Sequence, residues 1–256
     1  MAIQIPDASS VTGDELSTEP NRILSVIVPF ALEENEGEVL IHQLQEQLPE
    51  AEIVLACVEG YPPPVASRLV KKGRVLSVRT SIAGRAHQMN AAAKAASGRW
   101  LWFVHADSRL SSGTVWALCD FLAEDIDALG YFNLRYRRDG PALAQLNAGM
   151  ANLRARWLGM PFGDQGFVLP AAWFERLGGY DEKAPRGEDH LLVWRARQAG
   201  LPLRGIRAPL SSSARKYVQL GWCRATVQNV LLTMRQAWPQ WQVLRHIHGK
   251  RAVKRR

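Results

Sequence analysis

The sequence predicts an α/β fold in which a mixed, mostly parallel sheet is flanked by helices. Four runs of aliphatic, β-branched or aromatic residues are each short enough to be a buried strand. They occupy residues 23–28, 52–58, 74–79 and 100–105. Two segments between them, 34–48 and 84–96, have the composition and apolar spacing of helices. Strands that alternate with helices are typical of βαβ units in an open sheet.

The second half of the chain predicts two further strands and five helices. The strands are expected at 129–137 and 167–169, and the helices at 111–122, 141–158, 171–177, 188–199 and 218–248. Gly98 is expected to close the helix at 84–96, and Pro239 to break or kink the last one. The chain divides into a flexible leader at 1–21, a main domain at 22–217 and a helical, basic C-terminal extension at 218–256.

Charge is distributed unevenly along the chain. The net charge of +8 combines 32 Lys and Arg residues with 24 Asp and Glu residues, of which Glu188 and Asp189 are the last. Residues 1–189 carry 18 basic and 24 acidic groups, a net −6, whereas residues 190–256 carry 14 cations and no acid. This split predicts an anionic partner such as phosphate, nucleic acid or an acidic membrane surface, although a globular domain with a basic tail has the same pattern.

The cellular compartment is indicated by cysteine content and by the polar N-terminus. Three scattered cysteines are too few for a disulfide framework and suit a reducing compartment. The N-terminal residues do not resemble a secretion signal, and no apolar run reaches the roughly 18 residues of a membrane span. We therefore expect a cytoplasmic protein, with peripheral attachment at the inner face of the membrane as a further expectation.

Polar residues follow the predicted strands where open α/β sheets bind ligands. Asp107 comes directly after the fourth strand and could hold Mg²⁺ or Mn²⁺ against substrate phosphates, or could simply cap the next turn. Glu188 and Asp189 open a helix, where they could supply a general base or only complement the helix dipole. The turn at 84–90 offers Arg85 to a diphosphate, although an ordinary helix start would look similar.

These segments stand in a recognisable order along the chain. They read SVIVP at 25–29, GRAHQMNAAAKAASGRWLWFVHADSRL at 84–110, GDQGFVLPAAWFERLGGYDE at 163–182, GED at 187–189 and SARKY at 213–217. Together they resemble family 2 glycosyltransferases, which have the Rossmann-like GT-A fold. More narrowly, they are similar to the bacterial subgroup called radical-SAM/selenodomain-associated transferase 2. The resemblance spans roughly residues 23–235 and implies an inverting, metal-dependent hexosyl transfer from a nucleotide sugar to an acceptor hydroxyl.

The resemblance also implies a role for individual residues. Asp189 matches the catalytic base, with Glu188 beside it, and Asp107 matches the ligand of a Mn²⁺ or Mg²⁺ cofactor, with His105 in place of a first Asp. The remaining positions match parts of the nucleotide-sugar site. They are Pro29, Glu33, Arg85, Asn90 and Arg215 on the donor side, and Gly163, Asp164 and Gln165 around the sugar and acceptor.

Two departures from the family pattern affect the part of the donor site that holds the nucleobase. Leu32 replaces an Asn before Glu33, and Cys57 stands where an Asp that holds the nucleoside is usual, with Glu59 two residues later. An active enzyme therefore competes with a second hypothesis. In that alternative, the chain is a catalytically decayed, GT-A-like binding protein that docks on an anionic membrane or polymer.

The C-terminal segment mixes aromatic, aliphatic and basic residues. Between 221 and 248, Trp222, Trp238 and Trp241 alternate with aliphatic residues and with arginines, as in helices that lie on an anionic bilayer. A helix that packs on the main domain is an equally good interpretation. The basic tail at 245–256 carries no nucleic-acid-binding signature, so we expect a membrane-adjacent or lipid-linked acceptor rather than nucleic acid.

Overall fold

The computed structural model describes residues 23–30, 37–59 and 75–253, with side-chain surroundings up to residue 247. Within that part of the chain, seven strands form one sheet in the order β3-β2-β1-β4-β6-β5-β7. The strands are β1 (Leu24–Pro29), β2 (Glu52–Val58), β3 (Val75–Thr80), β4 (Trp100–Phe103), β5 (Leu129–Tyr136), β6 (Phe167–Pro170) and β7 (Leu203–Ser212). All neighbouring pairs are parallel except those that involve β6. The predicted mixed, mostly parallel sheet is confirmed.

Helices connect the strands and cover both faces of the sheet. They are α1 (Gly37–Gln47), α2 (Arg85–Ala95), α3 (Ser112–Ala123), α4 (Ala144–Leu158), α5 (Ala171–Arg176), α6 (Glu188–Ala199), α7 (Arg215–Leu220) and α8 (Trp222–Val253). A short 3₁₀ turn, Gly163–Gln165, precedes β6. Val26 and Val28 pack in the core cluster to which α1 and α3 contribute, on one face of the sheet. Ile27 packs in the cluster on the opposite face. Burial on both faces explains why β1 is a continuous apolar run.

Strand β7 is absent from the sequence prediction. Its ten residues contain Gly205 and Pro209, which normally argue against a strand. It lies at the edge of the sheet, and its pairing with β5 shifts register between Phe132 and Asn133. An edge strand with such an irregularity tolerates proline, and the buried positions at Ile206, Ala208, Leu210 and Ser212 still alternate as a strand requires.

The C-terminal extension is a long helix that packs on the sheet domain. Helix α8 runs through Pro239 without a break, so the predicted break there is wrong, and a kink at Pro239 stays a prediction. One of its faces contacts α6, where the side-chain amide of Gln198 donates to the side-chain oxygen of Gln240 (2.9 Å). Among the described helices, none is both long enough and apolar enough to cross a membrane.

Gly98 has a different role from the predicted helix cap. Helix α2 ends at Ala95, and its extended C-cap residue is Ala96. A Cβ atom at Gly98 would lie 2.5 Å from the backbone nitrogen of Ser25, so glycine is needed there for close approach to β1.

Candidate functional site

A cleft of about 400 Å³ opens at the carboxyl ends of β1, β2 and β4. Parallel strands end at the same edge of the sheet, which brings together residues that are far apart in sequence. Helix α2 begins at this edge and contributes its first turn. The lining comprises Pro29, Phe30, Val58, Ala83, Gly84, Arg85, Gln88, His105, Ala106 and Asp107.

The floor of the cleft is fixed by Gln88 of α2. Its side-chain amide donates to the backbone carbonyls of Phe30 (2.7 Å) and Ala56 (3.0 Å), at the ends of β1 and β2. Gln88 is buried, so these hydrogen bonds satisfy its amide donors away from water. The two strand ends that border the cleft are therefore held at a fixed separation.

Arg85 connects the cleft to the acid pair at the start of α6. Its Nε donates to the Glu188 carboxylate (2.5 Å), and its Nη1 lies 3.3 Å from His105 Nε2. The Arg85 side chain remains 42% exposed, whereas that of Glu188 is only 5% exposed. Burial alone would lower the pKa of Arg85, but the carboxylates of Asp189 and Glu188 raise it above its ordinary value. A permanent cation therefore faces the cleft.

Asp189 is buried beside this arginine and stays ionised. Its Oδ2 accepts the backbone N–H of Gly163 (2.5 Å), and its Oδ1 accepts the N–H of His190 (2.8 Å). Burial alone would raise the pKa of Asp189, but Arg85 and these two backbone donors outweigh it and lower the pKa. A Cβ atom on Gly163 would lie 2.9 Å from Asp189 Oδ2, so only glycine leaves room for this carboxylate.

Asp107 lies in the cleft wall and is held by the end of β7. Its carboxylate accepts weak hydrogen bonds from the Ser212 hydroxyl (3.4 Å) and from the backbone N–H of Ser213 (3.3 Å). Burial and the positive charge of Arg85 lower the pKa of the neighbouring His105, which keeps its imidazole neutral at neutral pH. These contacts leave a carboxylate and a neutral imidazole at the mouth of the cleft.

The donor set around Asp107 fits a divalent cation only with help from a ligand. In the described part of the chain, no three His, Cys, Asp or Glu side chains converge in a way that could hold a metal. Magnesium sites at phosphates commonly use one or two protein carboxylates and take their other oxygens from substrate and water. Asp107 suits such a site when diphosphate oxygens complete the coordination.

A second polar cluster surrounds the predicted sugar and acceptor segment. The Tyr136 hydroxyl donates to Asp164 Oδ2 (3.2 Å) and lies 3.3 Å from the Tyr217 hydroxyl. Lys216 Nζ is 3.9 Å from the same carboxylate oxygen. Burial, followed by the nearby Asp164 charge, raises the pKa of Tyr136, so this phenol remains a hydrogen-bond donor. The other oxygen of Asp164, Oδ1, is buried and has no hydrogen-bond partner among the described residues.

The structure places the sequence-predicted site residues in different surroundings. Pro29, Arg85 and Asp107 line the cleft, and Glu188, Asp189 and Gly163 adjoin it through Arg85. Asp164 lies in the tyrosine cluster. Glu33 lies outside the described residues, as do Leu32 and the predicted leader.

Asn90, Gln165 and Arg215 are bound to neighbouring protein groups. Asn90 exchanges two hydrogen bonds with the backbone of Tyr180, at 2.9 and 2.8 Å. Gln165 is fully buried, and its amide donates to the Phe132 carbonyl (3.0 Å). Arg215 Nε donates to the Ser213 hydroxyl (3.1 Å). In the observed arrangement these side chains stabilise the loops that carry the site, and direct contact with a donor stays a prediction for them.

Several residues of the site were missed from sequence. The Tyr180 ring is buried against Phe103 and Phe174. Burial and the Asp189 and Glu188 charges raise its pKa well above the ordinary value. Ser212 and Ser213 reach Asp107 because β7 belongs to the sheet, and no strand is predicted there from sequence. For Tyr180 the only available signal was its place in the GGYDE segment.

Gln236 of α8 is a further residue that was missed. Its side-chain amide donates to the Arg186 carbonyl (2.8 Å), and its oxygen lies 3.3 Å from His190 Nδ1. The Trp194 indole donates to the other ring nitrogen of His190 (2.9 Å), which leaves Nδ1 as the protonated position. Gln236 thus links the C-terminal helix to the turn that carries Glu188 and Asp189.

The part of the cleft where the resemblance predicts contact with the nucleobase differs from the family pattern in a specific way. Cys57 is fully buried in the core cluster, and burial raises the pKa of its thiol. The next residue along β2, Val58, lines the cleft together with Phe30. The wall at this position is therefore apolar.

A cleft with cationic and acidic side chains at the carboxyl edge of a Rossmann-like sheet defines a GT-A-type α/β protein. The family model described as glycosyl transferase family 2 matches residues 25–166, more than half of the chain. The chain therefore belongs to glycosyl transferase family 2. The narrower subgroup stays a prediction.

Solved structures of S. aureus TarS share the fold. The chain is 16% identical to TarS 1-349 with a TM-score of 0.58, and the match covers 75% of this chain and 60% of that one. It is 18% identical to the complex with UDP-GlcNAc, with a TM-score of 0.58 and coverage of 75% and 58%. It is 17% identical to the complex with UDP, with a TM-score of 0.59, and the match covers 75% of this chain and 60% of that one. The chain thus spans about three fifths of these structures, and no curated protein sequence matches it.

Proposed function

We propose that this glycosyltransferase moves a hexosyl group from a nucleotide sugar to an acceptor hydroxyl with inversion, and that Asp189 is the general base. The observation that carries the proposal is the hydrogen bond from Arg85, which lines the cleft, to Glu188, together with the charge interaction of Arg85 with the neighbouring Asp189. It joins a cation suited to a diphosphate to an ionised carboxylate suited to accept the proton of an acceptor. Inversion follows from a single displacement in which acceptor and leaving group occupy opposite faces of the sugar.

The donor is proposed to be a UDP-sugar, and UDP-GlcNAc is the first to test. This choice rests on the titles of the TarS complexes, which name UDP and UDP-GlcNAc. The apolar wall formed by Phe30 and Val58 is suited to stack against a nucleoside. Arg85, in the first turn of α2, is suited to bind the diphosphate at the helix N-terminus.

Asp107 is proposed to hold Mn²⁺ or Mg²⁺ together with the donor diphosphate. Such a cation supplies charge neutralisation for the departing nucleoside diphosphate. The protein's own contribution is to orient Asp107 through Ser212 and Ser213. Arg85, which also lines the cleft, is proposed to add positive charge near the same leaving group, with Arg215 assisting it.

The sugar and the acceptor are proposed to bind beside Asp164. Its unpartnered oxygen is a strong acceptor for a hydroxyl of either group, and Tyr136 and Lys216 hold the carboxylate in place. Asn90 and Gln165 are proposed as positioning residues for the same segment. A lipid-linked acceptor is consistent with the apolar, basic helix α8, which reaches the Asp189 turn through Gln236.

Turnover of UDP-GlcNAc by the full chain tests the proposal. With Mn²⁺ or Mg²⁺, the wild-type protein should release UDP, and the product anomer read by NMR should be inverted. Asp189→Asn should lower kcat by about 10²- to 10⁴-fold, which is the range for loss of a general base, while UDP affinity stays within a few-fold. The exposed Asp127→Asn is the matched control and should behave as wild type. Absence of turnover with all UDP- and GDP-sugars, or a fully active Asp189→Asn, would refute the assignment.

Titration calorimetry with Mn²⁺ tests whether Asp107 holds the metal. Asp107 is the only carboxylate in the described cleft lining, so it offers too few ligands to hold Mn²⁺ tightly by itself. The diphosphate of UDP would supply further oxygens, and Mn²⁺ should therefore bind the UDP complex more tightly than the protein alone. Asp107→Asn should abolish this difference. Equal Mn²⁺ affinity with and without UDP would contradict the assignment of Asp107.

A non-catalytic binding protein is the second candidate function. It is favoured by the burial of Cys57, which leaves no carboxylate at the usual nucleoside-binding position of β2. This candidate predicts no measurable affinity for UDP or GDP in calorimetry, together with strong binding to anionic vesicles. Micromolar UDP affinity would exclude it.

A further inference from the structure

Helix α4 presents an apolar stripe to solvent. Leu146, Met150, Leu153 and Trp157 follow the spacing i, i+4, i+7, i+11, and all four are exposed, with Trp157 at 77%. The opposite face of the helix is buried through alanines at 144, 148, 151 and 155. The large apolar side chains of α4 therefore point away from the core, which is the reverse of an ordinary amphipathic helix.

Helix α8 repeats the same pattern. Val227, Leu231, Met234 and Trp238 have the identical spacing, and they too are exposed, with Trp238 at 63%. Trp241 extends the stripe, stacks on Trp238 with ring centroids 5.7 Å apart, and carries the Arg245 guanidinium 4.7 Å above its ring. Both helices thus expose large apolar side chains over three turns.

The two helices contact each other. The Asn147 side chain of α4 donates to the Thr226 hydroxyl of α8 (2.8 Å), and the Trp222 indole donates to the Leu143 carbonyl (3.1 Å). Ala225 is buried in the same small core cluster as Ala144, Ala148 and Ala151 of α4. The stripes on these neighbouring helices are called the two-helix surface below. Exposed apolar surface on this scale normally marks an interaction site.

The positive charge around the two-helix surface favours an anionic partner. Neither α4 nor α8 contains an Asp or Glu, whereas Arg156, Arg224, Arg235 and Arg245 lie beside the stripes. A second copy of the chain would bring these cations face to face, which is unfavourable. Anionic lipid headgroups would instead complement them, and tryptophans at the edge of an apolar face are suited to the membrane interface.

We propose that the two-helix surface docks the protein on an anionic lipid bilayer. The apolar side chains enter the boundary between headgroups and acyl chains, and the arginines contact lipid phosphates while their stems stay in the apolar layer. The helices lie in the plane of the membrane. Docking involves residues outside the cleft, so it stands or falls independently of the transfer reaction.

Vesicle flotation with the full chain tests this surface. The protein should float with phosphatidylcholine vesicles that contain about 30% phosphatidylglycerol, bind pure phosphatidylcholine weakly, and lose affinity as salt rises. The double variants Met150→Glu/Leu153→Glu on α4 and Leu231→Glu/Met234→Glu on α8 should each weaken binding by about tenfold or more, because charge enters the apolar layer. All four positions are exposed, so the fold should be unaffected.

The control replaces an equally exposed tryptophan elsewhere. Trp116 is 72% exposed on α3, whose buried residues belong to the core cluster on the other face of the sheet, and Trp116→Glu should bind vesicles as wild type does. Circular dichroism melting and UDP binding should be the same for all variants. The proposal is overturned if wild type ignores anionic vesicles or if both double variants bind them normally. It is also overturned if wild type is a dimer in sedimentation that these substitutions dissociate.

Discussion

At the scale of the residue, the position of the proposed base depends on a glycine. Gly163→Ala would place a Cβ atom 2.9 Å from Asp189 Oδ2 and 3.2 Å from Asp189 Cβ. The carboxylate would have to move and would lose its short hydrogen bond from the residue 163 N–H. We expect kcat for UDP-GlcNAc to fall by about tenfold or more, because small displacements of positioned groups are costly in catalysis. Turnover and thermal melting measure the effect.

The matched control for this substitution lies on α4. A Cβ atom at Gly149 would meet nothing within 4 Å, and the residue is inside a helix. Gly149→Ala should therefore stabilise the protein by about 0.5–1 kcal/mol and leave turnover unchanged. If Gly163→Ala retained wild-type turnover while Gly149→Ala behaved as expected, catalysis would not depend on the observed position of the Asp189 carboxylate.

Residue types and their order predicted the centre of the site but not its supports. Arg85, Glu188 and Asp189 were expected near one another because they follow strands or open helices at the same sheet edge, and they do lie together. The contacts that hold the acid turn come from Gly163 and Gln236, and such contacts depend on how distant segments pack. A local pattern carries no information about a hydrogen bond between residues 186 and 236.

At the scale of the element, α8 is tied to the acid turn by one side chain. Gln236→Ala would remove the partner of the Arg186 carbonyl and of the proton on His190 Nδ1. Burial lowers the pKa of His190, so the ring stays neutral and needs this acceptor. We expect a loss of about 1–3 kcal/mol in the free energy of unfolding, with a lower kcat, because unsatisfied buried groups are costly and the Asp189 turn loosens.

The control for this prediction is the exposed Gln228→Ala on the same helix. It makes the same change of residue type and should leave melting temperature and turnover near wild type. Identical behaviour of the two variants in both measurements would show that α8 does not support the acid turn.

Elements with strong periodicity were predicted well, and those held by tertiary pairing were not. Strand β2 and helix α6 have the predicted bounds, 52–58 and 188–199. Strand β7 was missed because its proline and glycine are tolerated only at an edge with a register shift, and edge position is a property of the sheet. Helix α8 continues through Pro239 without the break that the local rule allowed, and packing against α6 is the context that the rule omits.

At the scale of the whole molecule, the acidic part of the chain (1–189) and the acid-free part (190–256) do not form two separate structural units. The acid-free part includes β7, which pairs with β5 in the same sheet. Cations after residue 189 pair with acids before it, as in Arg204 with Glu124 at 2.8 Å. The remaining positive charge is concentrated on α7 and α8, next to the two-helix surface. The anionic partner that the charge split predicts is therefore expected at this part of the molecule.

Asp139 joins the acidic and basic parts of the chain and should determine part of the acid stability. It accepts hydrogen bonds from the Ser213 hydroxyl (2.7 Å), the Ala214 N–H (2.8 Å) and Arg137 (2.6 Å). Burial alone would raise the pKa of Asp139, but the Ala214 and Ser213 hydrogen bonds, with Arg137, lower it. A lowered folded-state pKa contributes stability above the unfolded-state pKa of about 3.9, and this contribution is lost as the pH falls through the folded-state value.

Asp139→Asn should therefore be less stable than wild type at pH 7 by about 1–2 kcal/mol, since charge-assisted hydrogen bonds are lost. The gap should stay constant down to about pH 5 and shrink below about pH 4, where the unfolded chain takes up the proton first. It should disappear only once the pH has fallen through the lowered folded-state pKa of Asp139. Thermal melting from pH 7 to pH 3 measures the gap, and the exposed Asp127→Asn should show none. A gap as large at pH 3 as at pH 7 would mean that Asp139 stabilises the β5–β7 edge through its shape rather than its charge. The junction that orients Asp107 would then hold in acid as firmly as at neutral pH.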